Sequence, residues 1–167
     1  ELADLVVVPT QGIKEGILDA MPNAKVAVFE EPIDPERLYC NNNSESREPM
    51  IVITARNLML HQFLKDVLTE VYAEEKFLLR LIGGKRKPEL DLRMPWEWHP
   101  YNSSTIPALL QNANAGVAYF EDTPYSQCKG NYRIKTYIAA GIPVVTTPVG
   151  YNNSLVHNEK TGFLAKT

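Results

Sequence analysis

Apolar positions recur along this chain in two rhythms that take turns. Short, largely apolar runs appear at Leu5 to Val8, Lys25 to Phe29, Met50 to Thr54, Phe77 to Ile82, Gly116 to Phe120 and Ile142 to Thr146. They are rich in β-branched residues and closed by turn-forming ones, the mark of buried strands. Between them the spacing becomes helical. Gln11 to Ala20 carries Ile13, Ile17 and Leu18, with Thr10 as its N-cap. Leu58 to Ala73 sets Leu60, Phe63, Leu64, Val67, Leu68 and Val71 three and four apart, which predicts an amphipathic helix. Ile106 to Asn112, capped by Ser104 or Thr105, and Lys129 to Ala140, ended by Gly141, predict two more helices. Glu97 to Tyr101 and Thr161 to Leu164 read as short strands, Asn41 to Pro49 as a polar loop, and Lys85 to Pro95 as a charged stretch without a period.

Strands that alternate with helices, and are apolar without alternation, predict a mainly parallel sheet covered on both faces: an α/β chain in three layers. In such folds ligands sit beyond the carboxyl ends of the strands. The candidate chemistry therefore belongs in the strand-to-helix loops.

Composition narrows the partners. The chain has 167 residues, 44% of them hydrophobic and 22% charged, enough for one globular domain with a core. Its net charge of −3 argues against a duplex nucleic-acid partner, which needs a basic face. Cys40 and Cys128 lack metal-type spacing and read as free thiols of a reducing, cytoplasmic compartment. In that setting the Asn-X-Ser triplets at Asn42, Asn102 and Asn152 carry no meaning. No apolar run reaches the ~18 residues of a membrane span. The start at Glu1, with a strand almost at once, reads as a segment of a longer chain.

Three loops offer chemistry. Arg56, with Asn57, follows the strand Met50 to Thr54, and a guanidinium fork there suits a diphosphate. Trp96 to Tyr101 contains Trp98, His99 and Tyr101, flat rings that could flank a nucleotide base. The strongest is the entry to the predicted helix at Lys129-Gly130-Asn131, followed by Tyr132 and Arg133. A helix start offers unpaired N–H groups, Gly130 allows close approach, and Lys129, Arg133 and Lys135 make the start unusually basic. A bound anion would resolve that charge against the helix dipole. Glu121-Asp122 read as loop solubility rather than as an acid/base pair. No metal site is read.

The run Tyr137 to Gly150, containing Ala139-Ala140-Gly141-Ile142-Pro143-Val144-Val145, and its continuation Leu155 to Leu164, ending Thr161-Gly162-Phe163-Leu164, resemble the C-terminal domain of retaining glycosyltransferases of the GT-B fold. The resemblance implies a Rossmann-like α/β/α domain forming one half of such an enzyme. It implies residues 1–24 as the end of the acceptor domain or the crossover, and 25–167 as the nucleotide-sugar-binding domain. Arg56 fits the family's diphosphate-binding arginine, and the lysine expected five residues later falls on His61. The family's two helix glutamates fall on Cys128 and Thr136, so Thr136 would hold the donor ribose more weakly. Gly150 would form a loop over the ligand edge.

The implied activity is hexosyl transfer from a UDP- or GDP-sugar, the substrate rather than a cofactor, to a glycan or lipid-linked acceptor such as a growing polysaccharide. Arg56 and Lys129 would neutralise the leaving diphosphate, with Gly130-Asn131 donating backbone N–H groups. The partners are the donor and the N-terminal acceptor domain of the parent chain, and any membrane contact falls to that domain. The alternatives are a non-catalytic binding or scaffold domain of the same fold, or a sugar-nucleotide epimerase of related fold.

Overall fold

The computed structural model describes residues 3–39, 48–56 and 60–166. Its first elements form a small unit of their own. Strand β1 (Val6–Val8), helix α1 (Gln11–Ala20) and strand β2 (Val26–Val28) make a two-stranded parallel sheet, with Val6 opposite Val26. Thr10 caps α1 as the sequence predicts, its Oγ1 accepting from the Ile13 N–H at 3.3 Å. A division after residue 24 thus falls between two strands that pair with each other.

After the short helix α2 (Pro35–Leu38), capped by Asp34, the remaining strands build one sheet. In chain order they are β3 (Met50–Thr54), β4 (Leu78–Ile82), β5 (Trp96–His99), β6 (Ala115–Ala118), β7 (Val144–Thr146) and β8 (Gly162–Leu164). They lie side by side as β5-β4-β3-β6-β7-β8, and every pairing is parallel. The chain therefore starts in the middle of the sheet, winds outward, returns, and winds the other way. That is the doubly wound Rossmann order, and its direction switches between β3 and β6.

Both sheet faces are packed. On one, Val52, Ile82, Ala118 and Val144 meet Ile106 and Leu110 of α4 (Ile106–Leu110) and Ile134 and Tyr137 of α6 (Tyr132–Ala139). On the other, Ile53, Leu79 and Leu81 meet Leu64 and Leu68 of α3 (Gln62–Glu74), along with Phe77 and Met94. The three-layer α/β/α reading of the apolar pattern holds.

Two helix predictions change. The stretch Lys129 to Ala140 is not one helix: α5 (Pro124–Cys128) ends with Lys129 as its C-cap, and α6 begins only at Tyr132. Asn131 between them sits at φ 49°, a left-handed conformation that a helix cannot continue through. The helix predicted from Leu58 starts at Gln62, with the His61 ring as its cap. A last short helix, α7 (Asn152–Leu155), lies between β7 and β8 and was not predicted.

Candidate functional site

The switch point opens a cleft. β3 pairs with β4 along its whole length, but with β6 only at Ile51 and Val52. Where β3 and β6 part, a cavity of about 560 Å³ is lined by Thr54, Ala55 and Arg56 after β3, Gly84 and Lys85 after β4, Tyr101 after β5, Ile106 of α4, and Tyr132, Arg133 and Thr136 of α6. A smaller chamber of about 70 Å³ continues it past Tyr101, Tyr132 and Thr136 towards Asp34, Arg37 and Ser103. Arg37 of α2 holds that side closed by donating to the Ser103 carbonyl at 2.7 Å. The cleft lies where the strand-end rule for doubly wound sheets puts ligands.

Three cations line it: Arg56, Lys85 and Arg133. Among the described residues none of them has a carboxylate within salt-bridge reach. Burial pushes the Arg133 guanidinium below its ordinary range, so an anion placed beside it would be held with little screening. Its guanidinium lies over the Phe120 ring, 5.3 Å from the ring centre. Tyr101 and Tyr132 are 57% and 44% exposed, which leaves two flat side chains free to meet a ligand.

The residues singled out in the sequence divide into two sets. Arg56, Tyr132, Arg133 and Thr136 come together in the cleft. The others do not line it. Lys129 lies 4.4 Å over the Tyr125 ring, and Gly130 packs beside Pro9, Thr10 and Glu31. Lys135, counted in the basic helix start, is balanced by Glu30 at 3.4 Å, so no bound anion is needed there. Asn131 is buried and its Nδ2 donates to Asn152 Oδ1, while its own Oδ1 has no partner among the described residues. Gly150 is wedged against α5, where an added Cβ would stand 2.5 Å from the Gln127 carbonyl oxygen.

His61 bridges two loops. Its Nδ1 accepts from the Phe63 N–H at 3.3 Å, its Nε2 lies 2.9 Å from Glu121, and its ring packs 5.3 Å from Tyr119. Trp98 belongs to the core of the α3 face, its Nε1 donating to the Gly83 carbonyl at 2.8 Å. His99 Nε2 lies 3.4 Å from Glu97 but is not aligned for a hydrogen bond. Asn57 lies outside the described residues. Sequence reasoning passed over Lys85. The signal was present: it follows Gly83-Gly84 just past the end of β4, as Arg56 lies just past the end of β3.

Comparison with solved structures places this architecture. A Glycosylation Associate Protein (Gap123) complex from Streptococcus agalactiae matches over 99% of the chain with a TM-score of 0.59 and 14% identity. A single-substitution variant of S. aureus TarM, solved with fondaparinux, alpha-GlcNAc-glycerol and UDP, matches over 98% with a TM-score of 0.68 and 14% identity. A GtfA/B complex matches over 99% with a TM-score of 0.59 and 16% identity. The fold is that of GT-B glycosyltransferases. The chain spans 34–36% of the length of these neighbours. No family model matches the sequence, and no curated protein does. No helix among the described residues is long and apolar enough to cross a membrane.

Against the GT-B resemblance, the two glutamate positions can be located. Thr136 faces the cleft, and its Oγ1 donates back to the Tyr132 carbonyl at 2.9 Å. Cys128 is a half-buried free thiol packed on α1, 3.1 Å from where a Cβ on Gly12 would stand. Neither position presents a carboxylate to the cleft.

Proposed function

We propose that this chain is the donor-binding half of a glycosyltransferase that takes a hexose from a UDP- or GDP-sugar and passes it to a glycan or lipid-linked acceptor. The observation that carries the reading is the set of three cations, Arg56, Lys85 and Arg133, without a carboxylate partner among the described residues, around a cleft that also holds Tyr101 and Tyr132. Guanidinium forks pair with phosphate oxygens in two-point fashion. Cations fixed in place before the reaction stabilise charge that develops on a departing diphosphate. In this reading Arg56 and Arg133 grip the diphosphate, Lys85 adds a third charge, Thr136 meets the ribose, and the base lies beside Tyr101 and Tyr132. Lys129, whose charge faces the Tyr125 ring, has no part in it.

The reading assigns β1, α1 and β2 to the end of an acceptor domain. It moves the division from residue 24 to the segment after β2, because the two strands share a sheet. Leu5, Val7, Val28 and Phe29 of this unit are exposed. Parallel strands are ordinarily covered on both faces, and a two-stranded sheet is marginal alone, so these apolar side chains fit a surface that the rest of that domain covers. The cytoplasmic, reducing setting belongs to the same reading.

Titration of UDP and GDP into the wild-type chain and an Arg133→Gln variant tests it. Saturable binding by the wild type, weakened at least about tenfold by a lost charge-assisted contact, is expected. Equal binding by both proteins, or none by the wild type, refutes it. A second reading, a non-catalytic binding domain of the same fold, is favoured by Thr136 and Cys128, which leave the cleft without the family's carboxylates. Sugar transfer by the full-length parent would eliminate it.

A further inference from the structure

Tyr137 stands at the point where the sheet divides, and its contacts explain why it divides there. Strands β3 and β6 pair at Ile51–Ala115 and Val52–Gly116 and then part. On the other side β3 stays paired with β4 through Thr54–Ile82, and the Ala55 N–H continues the ladder to the Ile82 carbonyl at 2.9 Å. The N–H groups of successive strand residues point to opposite neighbours, so the Thr54 N–H faces the gap left by β6. A buried N–H without a partner is rare and destabilising. Here the partner is the Tyr137 hydroxyl, which accepts from the Thr54 N–H at 2.7 Å and lies 3.0 Å from Thr54 Oγ1.

The ring reaches that place because Gly116 has no side chain. A Cβ on Gly116 would stand 2.5 Å from Tyr137 Cδ2 and 2.6 Å from Cγ. Tyr137 is fully buried, so the ring is enclosed by its neighbours on every side. A phenol from α6 thus lies over β6 and substitutes for it as the hydrogen-bonding neighbour of β3. The residues it secures, Thr54 and Ala55, lead directly into Arg56, and all three line the cleft.

We propose that Tyr137 is a positioning residue of the nucleotide site: as a wedge at the switch point, it fixes the Thr54-Ala55-Arg56 turn and thereby aims Arg56 at the diphosphate. The aim at a diphosphate rests on the donor-site reading above. The wedge itself does not.

The Tyr137→Phe variant keeps the ring and removes the hydroxyl. Amide hydrogen exchange in that variant is expected to accelerate at Thr54 and Ala55 while Leu79 to Ile82 keep their protection. Unchanged exchange at Thr54 and Ala55 overturns the wedge, whatever the ligand. Calorimetry tests the second part, with UDP and GDP beside uridine and guanosine, which lack phosphates. Tyr137→Phe is expected to weaken the diphosphates about tenfold, leave the nucleosides unchanged, and add nothing in an Arg56→Ala background, because coupled residues are non-additive. A general loosening of structure would weaken nucleosides and diphosphates alike and would add to Arg56→Ala; either result overturns the positioning role. A wild type that binds no nucleotide refutes the donor reading, and exchange at Thr54 and Ala55 then decides for or against the wedge alone.

Discussion

Replacing Gly116 by alanine adds one methyl group at a crowded point of the switch. The new Cβ would meet three Tyr137 ring carbons at 2.5, 2.6 and 2.9 Å. Carbon atoms in contact settle near ~3.5–4.0 Å, so the ring or the strand must shift by about 1 Å. The ring is fully buried and tethered to Thr54 through its hydroxyl, which removes the easy direction of movement. Overpacking a core in this way costs about 1–3 kcal/mol. If the ring moves, the Thr54 N–H loses its acceptor inside the protein, a further ~1–3 kcal/mol. The sum, about 2–6 kcal/mol, is a large part of the ~5–15 kcal/mol that holds a domain folded. Urea unfolding is the assay: the unfolding free energy should fall by that amount and the midpoint by that amount divided by the slope, which stays unchanged. Gly16→Ala is the control, since nothing lies within 4 Å of a Cβ there and the residue sits in the exposed helix α1. That variant should gain ~0.5–1 kcal/mol from the lower helix cost of alanine. A Gly116→Ala protein within about 0.5 kcal/mol of wild type, the range of an inconsequential surface change, refutes the wedge packing.

Other consequences follow from the same contacts. Tyr101→Ala should weaken nucleotide binding by the ~1–3 kcal/mol of a lost stacking surface, whereas Trp98→Phe should leave it unchanged and lower only stability; calorimetry and thermal unfolding separate the two. The Tyr151 phenol, hydrogen-bonded to Glu30, is pushed up to about 12, so NMR titration should find it still protonated at pH 11, and Glu30→Gln should bring it back towards its ordinary range. In Glu97, burial is the largest influence and raises the carboxyl; Arg80, by hydrogen bond and charge, and then His99 together carry it below its ordinary 4.5. A depressed carboxylate stabilises the fold above its unfolded pKa and loses that contribution as pH falls through its folded one. Glu97→Gln should therefore flatten the decline of stability below about pH 4.5, read by thermal unfolding across pH 3–6, and an unchanged decline contradicts the assignment.

The layers of this fold were legible because they rest on apolar periodicity. Met50 to Thr54 was read with its observed bounds, and Thr10 caps α1 as a threonine before a helix should. What pattern could not reveal was how like elements sort. Val6–Val8 and Val26–Val28 resemble the strands of the main sheet in every residue property, yet they pair only with each other. The break at Asn131 was hidden for a similar reason: nothing in Lys129 to Ala140 forbids a helix, and the left-handed Asn131 is tied by its side chain to Asn152, 21 residues further on. That break moved Lys129 and Gly130 out of the candidate site. Arg56 lines the cleft, and it had been selected by a strand-end rule, not by a helix boundary. The same rule applied to β4 would have found Lys85.

The most direct test of the central claim is a crystal structure of the chain grown with UDP or GDP. The account predicts the diphosphate within hydrogen-bond reach of Arg56, Lys85 and Arg133, with the base beside Tyr101 and Tyr132. A nucleotide bound instead at Lys129-Gly130-Asn131, or a cleft left empty under saturating nucleotide, contradicts it.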